Sequence, residues 1–179
     1  MKLLLTGPPR AGKSLLIRRL AEEYPGTAGG MLVAEICGTD RRRCGFELQA
    51  VWCGPGRPLQ VVERAVLAHV ERDFPWRGGR YRVDPAALHL AVRALDGAMH
   101  EGGLVIIDEI GPLQILSAEF QDAVLRCLDS PCHMLGTISQ AADPFLDTVR
   151  SRPGVRLMEV TRVNRNHLAE GLKRWMSTV

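Results

Sequence analysis

Residues 7–14 read Gly-Pro-Pro-Arg-Ala-Gly-Lys-Ser, directly after the apolar run Lys2-Leu3-Leu4-Leu5-Thr6. The pattern G-x-x-x-x-G-K-[ST] after an apolar strand is a phosphate-binding loop. It admits few folds, because a parallel sheet must deliver the strand and a helix must begin where the loop ends. Glycines at 7 and 12 let the backbone curl until successive N–H groups face one anion at the positive end of that helix. Lys13 would then reach the β- and γ-phosphates of a nucleoside triphosphate, and the Ser14 hydroxyl would ligate Mg2+. The nucleotide cradle is expected from Gly7, Pro8, Pro9, Arg10, Ala11, Gly12, Lys13, Ser14 and Leu15. The chain has 20 arginines and three lysines, so chance alone yields the match in roughly two chains per thousand of this composition. The loop needs a compact ammonium on a flexible stem rather than a broad guanidinium, which is why an arginine-rich chain keeps lysine here.

A second run, Leu104-Val105-Ile106-Ile107-Asp108-Glu109, is wholly apolar and ends in two carboxylates. A buried parallel strand of this kind delivers its terminal acids to the ligand edge of the sheet, as a Walker B strand does. Asp108 would hold Mg2+ directly or through water. Glu109 would accept a proton from attacking water as general base. Thr137 and Ser139 end the following strand; Thr137 is a candidate contact to the γ-phosphate or its water, and a purely structural role fits it equally well.

With 179 residues the chain builds one well-buried core, so a single domain over 1–179 is expected. The net charge of +3 and nine scattered aromatics give no electrostatic or stacking case for nucleic acid. No apolar run approaches 18 residues, and only four apolar residues precede Gly7-Pro8-Pro9, so neither a membrane span nor a signal peptide is expected. The reading is a cytoplasmic protein, monomeric by default. Cys37, Cys44, Cys53, Cys127 and Cys132 show no C-x-x-C spacing, so free thiols are expected rather than a zinc site, with Cys37 and Cys44 facing each other across a hairpin.

Along the chain, the helix after the loop runs to about Glu23 with Leu15, Leu16 and Leu20 on its apolar side. Residues 30–36 and 44–52 read as two strands joined by Gly38-Thr39-Asp40-Arg41-Arg42-Arg43, an antiparallel hairpin inserted into the α/β order. Leu59, Val62, Val66, Val70 and Phe74 recur at helical spacing and predict a helix over 57–74. Asp84-Pro85 reads as an N-cap with proline at the first helical position, opening a helix to His100. After the acidic strand come a helix near 117–128, a strand at 133–138, a helix at 144–151, a strand at 155–160 and a helix from about Asn164.

These anchors resemble the small P-loop nucleoside-triphosphatase family that includes a human cancer-related nucleoside-triphosphatase and thermophile homologues. The likeness runs nearly end to end. It includes Thr6-Gly7-Pro8-Pro9 with Gly12-Lys13-Ser14, Gly30 and Glu35 with Arg43-Cys44-Gly45-Phe46, and Tyr81 with Val83-Asp84. It continues through Ile107-Asp108-Glu109-Ile110-Gly111, Leu135-Gly136-Thr137-Ile138, and Val160-Thr161 with Asn164-Arg165-Asn166-His167-Leu168. The resemblance implies a RecA-like three-layer α/β sandwich with a mainly parallel central sheet and an antiparallel hairpin insertion, in which another strand separates the strand before the phosphate loop from the one ending at Asp108. It implies slow Mg2+-dependent hydrolysis of several nucleoside triphosphates, ATP and GTP among them, with the acid after the Walker B aspartate as base. Asn164 and Arg165 would lie at the nucleotide edge, although Asn164 also suits a helix start.

The chain departs from that family where charge is expected. Lys-Met-Glu after the glycine becomes Pro112-Leu113-Gln114, and Thr-Glu-Glu-Val-Arg in the first hairpin strand becomes Val33-Ala34-Glu35-Ile36-Cys37. Hydrolysis is the leading reading. A nucleotide or nucleoside kinase with arginines from 41–43 or from Arg150 and Arg152, and a nucleotide-binding switch with negligible turnover, are the alternatives.

Overall fold

In the computed structural model, which describes residues 1–176, the elements run β1 (Lys2–Thr6), α1 (Lys13–Glu22), β2 (Ala28–Cys37), β3 (Arg43–Cys53), β4 (Gln60–His69), β5 (Trp76–Gly78), β6 (Tyr81–Val83), α2 (Pro85–His100), β7 (Leu104–Ile110), α3 (Ala118–Asp129), β8 (His133–Ile138), α4 (Pro144–Ser151), β9 (Val155–Glu159) and α5 (Arg165–Met176). Positions 177–179 of the expected domain lie outside the described residues. The strands form one sheet in the order β5-β6-β4-β3-β2-β7-β8-β1-β9. From β2 to β9 neighbours are parallel, and β8 separates β1 from β7. From β2 to β5 they are antiparallel.

Leucine-rich β1 is buried because its alternate residues enter two different cores. Leu3 and Leu5 pack with Leu104, Ile106 and the α1 residues Leu16, Ile17 and Leu20 on one face. Leu4 packs with Val105, Ile107, Leu95 of α2 and Phe120 of α3 on the other. Helices on both faces make the three layers, and each such buried aliphatic side chain contributes about 1.5–3 kcal/mol. The helix starts are local: Asp84, Ser117 and Asp143 each accept hydrogen bonds from backbone N–H groups of the helix they open.

The antiparallel part of the sheet is larger than the predicted hairpin, since β3, β4, β6 and β5 all extend it. The cause is residues 60–69, expected as helix and found as β4. Pairing with β3 skips Val62 and Leu67, so two bulges on β4 break its alternation and leave apolar residues at a spurious helical spacing. Leu15 also leaves the predicted apolar side of α1; it is 69% exposed, and Leu16, Ile17, Leu20 and Ala21 carry the buried face. Cys37 lies opposite Arg43 rather than Cys44, because a bulge follows Ile36. The Cys44 thiol instead donates to the Ile36 carbonyl, and all five cysteines are free.

Candidate active site

The carboxyl ends of β1, β7 and β8 converge on one edge of the sheet, so residues far apart in sequence meet without any strand bending. After β1 the backbone turns at Gly7, whose φ of 130° excludes other residues, and a Cβ there would strike the Val160 carbonyl. Gly12, at φ 100°, ends the loop and opens α1. Lys13 Nζ donates to the carbonyls of Gly7 (2.8 Å) and Pro8 (3.0 Å), folding its ammonium over the loop.

Asp108 is 3% exposed at the end of β7. The Thr137 hydroxyl donates to its Oδ1 at 2.6 Å, and the Ser14 hydroxyl also bonds to it. Burial raises the Asp108 pKa, and the two hydroxyls oppose that shift. Glu109 follows, its pKa raised by burial first and by the Asp108 charge second, with Lys13 and Arg43 pulling the other way. Its carboxylate lies over Gly111, where a Cβ would come within 2.5 Å of Oε1. A hard-oxygen pair, one a buried carboxylate in want of a counter-charge, is the donor chemistry that suits Mg2+.

These groups open on a cleft of about 1130 Å³. The near wall is the loop and the acids. The far wall is the antiparallel extension, through Val33, Glu35, Arg43 and Phe46 of the β2–β3 pair and the β5–β6 turn. Arg43 donates to Glu35 Oε1 at 2.7 Å and to the Tyr81 hydroxyl at 3.2 Å, and its guanidinium lies 5.0 Å from the centre of the Phe46 ring. Phe46 and Tyr81 meet edge to face at 5.2 Å.

Of the residues expected in the cradle, Gly7, Pro9, Arg10, Gly12, Lys13, Ser14 and Leu15 line the cleft, together with Asp108 and Glu109. Ala11 faces the core instead, and Pro8 contributes its carbonyl. Thr137 is fully buried behind Asp108, so it positions that carboxylate, while Ser139 lines the cleft. Asn164 accepts from the Thr161 N–H and donates to the Glu159 carbonyl, which makes it the clasp of the turn into α5. Arg165 lies against the loop: a Cβ on Gly12 would sit 3.2 Å from its Cδ. Sequence reasoning assigned no role to Phe46 or Tyr81, although both stand in the motifs that carry the resemblance.

A family model described as NTPase matches residues 2–172. The chain belongs to the NTPase family. It is 36% identical over 169 residues to nucleoside-triphosphatase THEP1 of Thermotoga petrophila, covering 94% of this chain and 88% of the relative. It is 33% identical over 172 residues to the protein of that name from Methanothermobacter thermautotrophicus, covering 94% and 91%. The crystal structure of THEP1 from Aquifex aeolicus superposes with a TM-score of 0.81 at 26% identity over 96% of both chains. The solution structure of a human cancer-related nucleoside triphosphatase gives 0.75 at 28% identity, over 99% of this chain and 97% of the other.

Within the NTPase fold the departures separate. Pro112 and Gln114 line the cleft, whereas Ala34 and Cys37 are not among its lining residues. Charge acting on the transition state alone changes kcat more than KM. Pro112→Lys combined with Gln114→Glu is therefore expected to raise kcat with KM within a few-fold, and Ala34→Glu combined with Cys37→Arg to leave kcat within about twofold. Steady-state kinetics beside a thermal midpoint checks both; equal gains would show that the cleft does not set the rate.

Proposed function

We propose that the chain is a Mg2+-dependent nucleoside-triphosphatase of the cytoplasm, a single-domain monomer that slowly hydrolyses ATP, GTP and other triphosphates to diphosphate and phosphate. The observation that carries this is the placement of Glu109 beside Asp108 on one cleft wall with Lys13 and Ser14, whose hydroxyl bonds to Asp108. Ser14 and Asp108 would hold the ion, which would supply positive charge to the phosphate oxygens. Lys13 turns from the loop carbonyls to the phosphates. Glu109 takes a proton from water as the water oxygen bonds to the γ-phosphorus and the bond to the bridging oxygen breaks. Its raised pKa makes it a stronger base than an ordinary carboxylate.

Two features support low base selectivity and modest speed. Asn164 engages its side chain within its own turn, and a guanidinium such as Arg165, exposed beside Gly12, stacks on any base without reading its edge. Pro112 and Gln114 leave their part of the cleft wall uncharged. With Mg2+ and each of ATP, GTP, CTP and UTP, phosphate release is expected without any acceptor. The four values of kcat/KM should agree within about tenfold, or about 1.4 kcal/mol. Triphosphate consumed only when a second substrate is added would overturn the reading in favour of a kinase, and binding with no product at all would favour a switch.

A further inference from the structure

The cleft has more wall than a nucleotide on the phosphate loop can cover. The sheet order places the β1 loop between β9 on one side and β8 and β7 on the other. A triphosphate whose γ end points to Asp108 and Glu109 leaves its nucleoside on the β9 side, where Arg165 meets Gly12. The β2–β3 wall then faces the γ-phosphate alone. That wall carries a cation held from three directions: Glu35 and Tyr81 take its N–H groups and the Phe46 ring lies against its face. An exposed ion pair by itself adds little, but three fixed contacts give the Arg43 guanidinium a defined aim. Arg80, on the same cleft wall, braces the assembly, donating to the Tyr81 hydroxyl at 3.0 Å and to the Arg43 carbonyl at 2.6 Å.

The other arginines weighed from the sequence are paired or lie outside the cleft. Arg150 bonds to the Ser139 and Ala141 carbonyls and to Asp147. Arg152 pairs with Asp129. Arg41 and Arg42 are exposed at the hairpin tip and do not line the cleft. Beyond Gly111, Pro112 lines the cleft without a charge.

We propose that Arg43, oriented by Glu35, Tyr81 and Phe46, is the cation that contacts the γ-phosphoryl oxygens as their charge redistributes during hydrolysis, an arginine finger supplied within the chain by the antiparallel extension. Its field already reaches Glu109 across the cleft, which places it on the reacting side. The planar five-donor fork keeps its bonds to Glu35 and Tyr81 and still has N–H groups left for the phosphoryl oxygens.

The inference rests on the hydrolase reading, and its test separates the two. Arg43→Ala and Arg43→Gln, the latter keeping an amide donor for Glu35, are each expected to lower kcat on the order of a hundredfold to a thousandfold with KM within a few-fold. Arg43→Lys should recover only a fraction of that, and added guanidinium ion should partly restore Arg43→Ala. Binding of ADP with aluminium fluoride and Mg2+, a mimic of the transferring phosphoryl group, should weaken in step with kcat, while a non-hydrolysable ATP analogue binds as in the parent. A merely structural arginine would weaken both ligands alike or lower the thermal midpoint, and either result overturns the proposal, as does a kcat within threefold of the parent. If the parent chain releases no phosphate, the hydrolase reading fails, yet the comparison of the two ligands still decides whether Arg43 senses the transferring group.

Discussion

Glu109→Gln is expected to bind Mg2+-triphosphate with parent affinity and to hydrolyse it at least a hundredfold more slowly, because an amide orients water but cannot take its proton. The same variant should melt no lower than the parent without ligand. Burial and the neighbouring Asp108 charge both disfavour ionised Glu109 in the folded chain, so a neutral side chain relieves a cost that the parent carries. The sign follows from the raised pKa. Stability is penalised above the folded-state value and recovers as pH falls through it toward the ordinary carboxylate value. Activity moves the opposite way, since the base must be ionised, and kcat should fall on acidification at a pH above the usual carboxylate range. Titration calorimetry, single-turnover phosphate release and a thermal midpoint at two pH values check the set; parent turnover in the variant would remove Glu109 from the mechanism.

Lys13→Ala should lose triphosphate affinity on the order of tenfold to a hundredfold, the scale of one charge-assisted hydrogen bond, and turnover should fall further because the same ammonium faces the charge that develops on the phosphates. Lys13 rests on the Gly7 and Pro8 carbonyls at the cleft surface rather than in a core, so the thermal midpoint should shift by less than about 4 °C. Binding of a fluorescent triphosphate analogue, with the diphosphate as comparison, reads the effect directly: the triphosphate should lose more than the diphosphate. Unchanged affinity for both, with unchanged turnover, would show that the loop is not the phosphate cradle.

The parts of this site that could be read in the chain are those in which a short run of residues carries its own geometry. The spacing of Gly7, Gly12, Lys13 and Ser14 describes one tight turn and the helix it opens, and an apolar strand ending in Asp108 and Glu109 has few places to go except the ligand edge of a parallel sheet. Asp84-Pro85 announces a helix start for the same local reason, and the structure has it there. Residues 60–69 misled because their pattern is not local. Two bulges imposed by the partner strand decide which side chains face the core, and nothing within the segment encodes them.

Thr137 and Asn164 are polar residues at strand and helix ends whose partners, Asp108 and the Thr161 turn, decide that they brace the site rather than line it. The far wall belongs wholly to tertiary structure. Arg43 and Tyr81 are 38 residues apart and meet only because β3 and β6 both pair with β4. A turn is dictated by backbone sterics within a few residues of itself, and so the chain announces it. A cation held by three side chains from two hairpins exists only once long-range strand pairing has closed the distance between them.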